Sequence, residues 1–250
     1  MIHNIWDALL YHPLINALAF LVSIIPGGDV GIAVILLTIL VKLLLFPFSQ
    51  KSIKNQAAMT MLAPEIDKIK KSGASKEEQA KLTFELYKKH KTNPFSGCLL
   101  VLIQIPIIFA LYFVFFKGIK FETGPLYSFV HVPEQVNMIF LGMIDLGGKS
   151  LFLAILAGIS QYLQAHFMPQ PKFSTGAAPS FGETFGKSMQ MQMKYVFPFL
   201  VVWIAYSISG AIALYWITSN IFAVGQQIYV NKTEKKVLDK EVKILIKEGS

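Results

Sequence analysis

The sequence predicts an all-α, polytopic membrane protein: five transmembrane helices, an N-terminal interfacial helix and a cytoplasmic helical hairpin. Three observations carry this reading. Of 250 residues, 54% are hydrophobic and 15% charged, with a mean hydropathy of +0.52; a soluble domain carries about a quarter charged residues. Five apolar stretches approach the roughly 20 residues a membrane helix needs. The basic residues, all of them Lys, cluster in two segments. Disorder is excluded, because 20 Phe and long aliphatic runs cannot stay in water. A single cysteine, Cys98, excludes an intrachain disulfide framework or a multi-cysteine metal site.

Residues 1–29 form the first segment. Its apolar part, 14–25, ends at Pro26-Gly27-Gly28 and is too short to span. We read it as an extracytoplasmic interfacial helix anchored by Trp6 and Tyr11. No Lys precedes Lys42, so the positive region of a signal peptide is missing and an uncleaved N-terminus is expected. The first span is 30–48, with Thr38 and Lys42 as its polar side chains. Residues 98–230 hold the other four, at 98–116, 151–167, 195–209 and 211–230. A helix of 98–116 would be about 28 Å long, against a hydrocarbon core of about 30 Å. Strand alternation of the kind a lipid-facing barrel shows is absent.

Residues 49–97 carry ten Lys and the tail 231–250 carries six, whereas the first 41 residues carry none. The positive-inside rule places both basic segments in the cytoplasm and the N-terminus outside, which an odd number of spans satisfies. Apolar residues Ile53, Ala57, Met61, Ile66 and Ile69 recur near the helical period, predicting one helix over 50–71. Ser72-Gly73-Ala74-Ser75 breaks it. Ser75 and Glu78 form a capping-box pattern opening a second helix over 76–91, which Asn93-Pro94 ends. The hairpin is expected to stand off the membrane on hinges at Ser49 and Asn93-Pro94. It is either a solvated charged surface or a contact for ribosomal RNA, anionic lipid or a nascent chain.

Lys42 is the one formally charged residue in the five apolar stretches. A charge there costs about 3 kcal/mol on insertion scales and reads as functional by default; a lysine this near a helix end also has the reach to snorkel. Both readings stand on Lys42 alone. Thr38 shares its face one turn earlier, the second span adds Gln104, and the third adds Ser160, Gln161 and Gln164. The fifth adds Tyr215, Trp216, Thr218, Ser219, Asn220, Gln226 and Gln227. Each side chain singly is interhelical glue; together, with no carboxylate to pair Lys42, they suggest one wet, positive cavity between helices. No metalloprotease, serine-hydrolase, P-loop or dinucleotide motif stands out, and the reading is of a protein without catalytic chemistry or cofactor.

Several runs carry a resemblance: Val41-Lys42-Leu43-Leu44-Leu45-Phe46-Pro47, Met61-Leu62-Ala63-Pro64-Glu65, Asn93-Pro94-Phe95-Ser96-Gly97-Cys98, Gln104-Ile105-Pro106-Ile107 and Ala213-Leu214-Tyr215-Trp216-Ile217-Thr218-Ser219-Asn220. In this order they resemble the YidC/Oxa-type membrane protein insertase family, in its short five-span bacterial form. The resemblance implies a hydrophilic groove open to cytoplasm and lipid, in a multi-pass protein of the bacterial plasma membrane. Lys42 stands where the family usually has Arg, keeping the charge and losing the bidentate fork. By the same resemblance Thr38 is a groove position, Tyr215 and Trp216 meet the entering segment, and Gln161 or Gln164 lines the groove from the third span. Gln104, Ser219 and Asn220 complete the candidate set.

The expected function is insertion and folding of nascent membrane proteins. The expected partners are nascent chains, the ribosome through hairpin and tail, membrane lipids, and possible association with the secretion channel. A small-solute transporter or channel using the same polar cavity is the rival, and solute flux into liposomes without a nascent chain would favour it. The sixteen lysines of loop and tail predict a salt-dependent ribosome contact, because counterion release sets its affinity. Co-sedimentation with ribosomes should fall steeply from low to high salt, and unchanged co-sedimentation would remove the electrostatic contact.

Overall fold

The computed structural model describes residues 6–93, 96–116, 121, 126–168, 188 and 190–248. A π-helical turn, Asp7–Tyr11, leads into α1, His12–Ile24. The helix therefore starts well before its apolar stretch does: Asp7 and His12 interrupt the hydropathy but not the backbone hydrogen bonding. At 18 residues, Asp7–Ile24 is long and apolar enough to cross a membrane, so the length argument for an interfacial helix does not hold. Leu14, Leu18 and Val22 face inward at helical spacing, and α1 packs on α2, Val30–Leu44.

At Leu45 the chain kinks. Pro47, which has no N–H and whose ring crowds the preceding turn, opens α3, Phe46–Met61. Leu45 still accepts from the Ser49 N–H at 3.0 Å, and Val30–Met61 together is the second helical stretch long and apolar enough to cross. The single helix expected over 50–71 is two helices: Pro64 repeats the device, and α4, Ala63–Lys71, starts after a kink at Leu62. Gly73, at φ +74°, turns the chain. Ser75 then caps α5, Lys76–Lys89, accepting the Glu78 N–H at 3.2 Å. Asn93 is described; Pro94, the other part of the expected hinge, lies outside the described residues.

Helix α6 is Ser96–Phe116, with Pro106 inside it. A two-stranded antiparallel hairpin follows, β1 (Ile139–Phe140) with β2 (Ile144–Asp145), which an all-helical reading missed. Two residues per strand leave too little alternation to detect. Next come α7, Leu151–Phe167, and α8, Phe197–Ser207, the latter entered through a π-turn at Gln192–Val196. The connection expected over 168–194 lies largely outside the described residues. Gly158 lets α7 and α8 close: a Cβ there would stand 2.3 Å from Val202 Cγ2. The last helix, α9, runs unbroken over Gly210–Glu248, through the segment expected to be a separate tail. Residues 231–248 contain no Gly or Pro and many good helix formers, so nothing in the chain stops it.

Helix α9 is the hub, packing on α7, α2, α3 and α6. The core between them is small and aliphatic, with Ala33, Ala110, Ala157, Ala211 and Ala213 fully buried. Large apolar side chains point away from the bundle, among them Phe199 (77% exposed), Trp203 (67%) and Leu44 (68%). Apolar surface of that size turned outward suits a lipid solvent.

The root of α3 is not a free hinge. Ser52 and Ile53 are buried, α3 packs on α6 and α9, and Ser49 Oγ donates to Gln226 Oε1 of α9 at 2.9 Å. By contrast α4 and α5 bury no residue. The pivot is therefore Leu62 rather than Ser49. Hydrogen exchange should show the amides of 49–53 protected with α2, and those of α4 and α5 exchanging orders of magnitude faster. Equal protection of α5 and α7 would contradict this.

Candidate functional site

Three helices bring the candidate site together. The kink at Leu45 puts Lys42 in the last turn of α2, where a cation suits the helix dipole. Its side chain does not run along its own helix. The ammonium crosses to α6 and donates to Gln104 Oε1 at 3.1 Å. Gln104 in turn donates from Nε2 to the Tyr215 hydroxyl of α9, and Tyr215 shares a hydrogen bond with Ser219 one turn on. The result is a relay from cation to amide to phenol to hydroxyl, reaching across α2, α6 and α9. Lys42 and Gln104 are half-buried; Tyr215 and Ser219 are buried.

Side chains of α2 and α6 meet beside the Lys42–Gln104 bond, with Leu37, Ile107 and Leu111 buried in one core cluster. Between them lies a small apolar pocket lined by Leu37, Thr38 and Val41 of α2, Ile107 and Leu111 of α6, and Tyr215, with Leu14 of α1 closing one side. Thr38 donates its hydroxyl hydrogen to the Val34 carbonyl at 2.6 Å, so it reaches the pocket with its donor already spent on its own helix. The Lys42–Gln104 contact thus bridges two helices beside a small apolar pocket.

The remaining candidates occupy another face. Asn220 Nδ2 donates to Ser160 Oγ of α7 at 3.0 Å, and Ser160 donates to the Ala157 carbonyl at 2.7 Å. Trp216, four residues before Asn220, shares that face of α9 and is buried. Gln161 is buried and Gln164 half-buried on α7. The single cavity expected from the sequence is divided between two faces of α9, because adjacent residues on a helix point about 100° apart. Tyr215 and Ser219 look toward α2 and α6, whereas Asn220 looks toward α7.

Two residues escaped the sequence reading. Asp29 caps α2 with one carboxylate oxygen, accepting from the Gly31 and Ile32 N–H groups at 2.8 and 3.0 Å. An aspartate directly before an apolar helical run is an N-cap signature that would have found it. Asn16 accepts from the Tyr127 N–H at 2.6 Å. Nothing local in the sequence signals that long-range bond. Among the described residues no cluster of His, Cys, Asp and Glu is arranged to hold a metal.

Comparison with known proteins agrees with this architecture. Residues 20–237 match the family model described as 60Kd inner membrane protein. A membrane protein insertase YidC of Fusobacterium nucleatum is 33% identical over 229 residues, covering 89% of this chain and 97% of that protein. One from Oceanobacillus iheyensis is 33% identical over 235 residues, covering 92% and 84%. A YidC of Magnetococcus marinus is 31% identical over 230 residues; this chain covers 36% of its length, so that relative carries a large portion with no counterpart here. A crystal structure of an active YidC insertase shares the fold, with a TM-score of 0.56 at 22% identity over 88% of this chain and 45% of that one. On the family match and the two near-full-length relatives, this chain belongs to the 60Kd inner membrane protein family, the YidC/Oxa-type membrane protein insertases.

Proposed function

We propose that this membrane protein insertase receives nascent membrane proteins at the relay of Lys42, Gln104 and Tyr215. The observation that carries the reading is the partner of Lys42: a neutral amide on α6, beside a small pocket between the two helices. A carboxylate there would cancel the charge. An amide holds the ammonium in place and leaves its positive potential available to an acidic or polar segment. That segment enters between α2 and α6, while its hydrophobic neighbour partitions into lipid along the apolar outer faces. No nucleotide or cofactor takes part. The driving terms are apolar transfer, about 25 cal/mol per Å², and the membrane potential acting on acidic translocated residues.

The topology belongs to the same proposal: five spans, N-terminus outside, and the α4–α5 arm and the end of α9 in the cytoplasm. The lysine distribution supports it. In that frame the arm and tail meet the ribosome and anionic lipid. Gln164 is the third-span glutamine placed at the groove edge, on the ground that it is half-buried where Gln161 is buried. Asn220, Trp216 and Ser160 hold α9 to α7 as the wall behind it.

Reconstituted insertion of paired substrates, differing only in the acidity of the translocated tail, tests the role of Lys42. Lys42→Arg should retain activity, since charge and approximate reach survive. Lys42→Ala should impair the acidic-tailed substrate far more than the neutral one, and Lys42→Glu should be worse than Ala. An Ala variant working at the wild-type rate on both substrates would sink the proposal. Stability gives a separate check. Gln104→Leu leaves the ammonium without its partner and should cost about 1–3 kcal/mol in thermal unfolding. Adding Lys42→Met should recover most of that loss, because replacing both polar partners by apolar groups removes the unpaired charge. A double variant less stable than Gln104→Leu alone would contradict the assignment of the bond.

A further inference from the structure

The two helices that present Lys42 and Tyr215 begin against the same loop. Asp29, 9% exposed, uses one carboxylate oxygen to cap α2. Its other oxygen accepts the Leu141 N–H at 2.9 Å. Leu141 is the turn residue of the β1–β2 hairpin and has a positive φ of 51°, a conformation a leucine avoids. Backbone bonds reinforce the contact: Val30 N–H donates to Asn137 O at 3.0 Å and Asn137 N–H to Gly28 O at 2.9 Å. Gly31 allows the approach, since a Cβ there would lie 2.2 Å from the Phe140 ring. The far side of the same hairpin holds the start of α9. Ala211 N–H donates to Leu146 O at 3.1 Å, and Gly210 N–H to Gly148 O at 2.9 Å.

We infer that Asp29 is a positioning residue: by latching α2 to the 137–148 hairpin, it sets the axial register of α2 against α9 and so brings Lys42 to the Gln104–Tyr215 pair. The argument is mechanical. Packing along α9 and α1 sets which face α2 presents, and the hairpin bonds add a stop at its end. A helix is stiff along its axis, and thirteen residues on from Asp29 a shift at the capped end arrives undiminished at Lys42. A Cys or Ser at position 29 would cap α2 alone; the second carboxylate oxygen is what reaches the hairpin. The carboxylate is suited to this because it accepts three amide hydrogens in two directions at once.

This inference rests on the Lys42 reading above, and two independent readouts separate their failures. The test variant is Asp29→Asn in the full chain. Asparagine remains a good cap, but its single carbonyl oxygen cannot serve α2 and the hairpin together. Gly31→Ala loosens the same contact without touching Asp29. The first readout needs no substrate. In a Cys98→Ser background, Leu37→Cys and Ile107→Cys place thiols on opposite walls of the pocket, and crosslinking yield with a short bifunctional thiol reagent reports the α2–α6 register in membranes. Both variants should lower that yield by about tenfold or more, the lower end of the weight of one charge-assisted hydrogen bond. An unchanged yield in both overturns the latch. The second readout is insertion of the paired substrates. Asp29→Asn should impair the acidic-tailed one selectively, and should add nothing to the loss in Lys42→Ala. Equal loss on both substrates, or loss additive with Lys42→Ala, would make Asp29 a structural cap only and overturn its role toward Lys42. If Lys42→Ala itself fails to distinguish the tails, the groove-charge proposal falls and the crosslink yield alone decides the latch.

Discussion

An ammonium half-buried between apolar helices, with no acid bonded to it among the described residues, is the constraint around which the other features are arranged. Insertion scales put the cost of such a charge at about 3 kcal/mol. A hydrogen bond to a charged group returns about 1.5–3 kcal/mol, and the last turn of a helix adds a few tenths more. The arrangement around Lys42 therefore comes close to balance without neutralising the charge. A carboxylate partner would have stabilised the cation further and erased the potential. Glutamine at position 104 serves both requirements: its oxygen accepts from Lys42 and its nitrogen is satisfied by Tyr215, so neither end of the amide is left bare.

That solution makes demands on α9, which answers them with two faces. Tyr215 and Ser219, four residues apart, extend the relay toward α2 and α6. One position further round, Asn220 fastens the helix to Ser160 of α7. Alanines and glycines carry the close contacts on that side, with Gly158 admitting Val202. The packing is thus closest where α9, α7 and α8 form a wall, and a small pocket remains between α2 and α6. A hydrophobic effect between helices is weak in lipid, so this difference has to come from side-chain size and interhelical hydrogen bonds.

What could be read from the sequence follows the range of each interaction. The apolar helices, the lone Lys42 and the cap at Ser75 depend on neighbours within a few residues, and the residue pattern displays them. The kinks at Leu45 and Leu62 were legible in Pro47 and Pro64 but overridden by helical periodicity, which runs through a kink unbroken. Three things lay out of reach for physical reasons. The partner of Lys42 is 62 residues away, and no local pattern distinguishes Gln104 from the other polar side chains. The division of the polar residues between two faces depends on where α7 and α6 sit around α9, which periodicity does not state. The β1–β2 hairpin is too short to leave an alternation, and its importance lies in what it touches rather than in what it is.

Those contacts add to the packing of α2 along α1 and α9. It is fastened at both ends. At one, Asp29 ties it to the hairpin that also receives the start of α9. At the other, just past the kink, Ser49 and the Phe46 carbonyl are bound by Gln226 of α9, whose Nε2 lies 2.7 and 3.3 Å from them. The kink at Leu62 lies outside the Gln226 clasp, and α4 and α5 beyond it bury no residue.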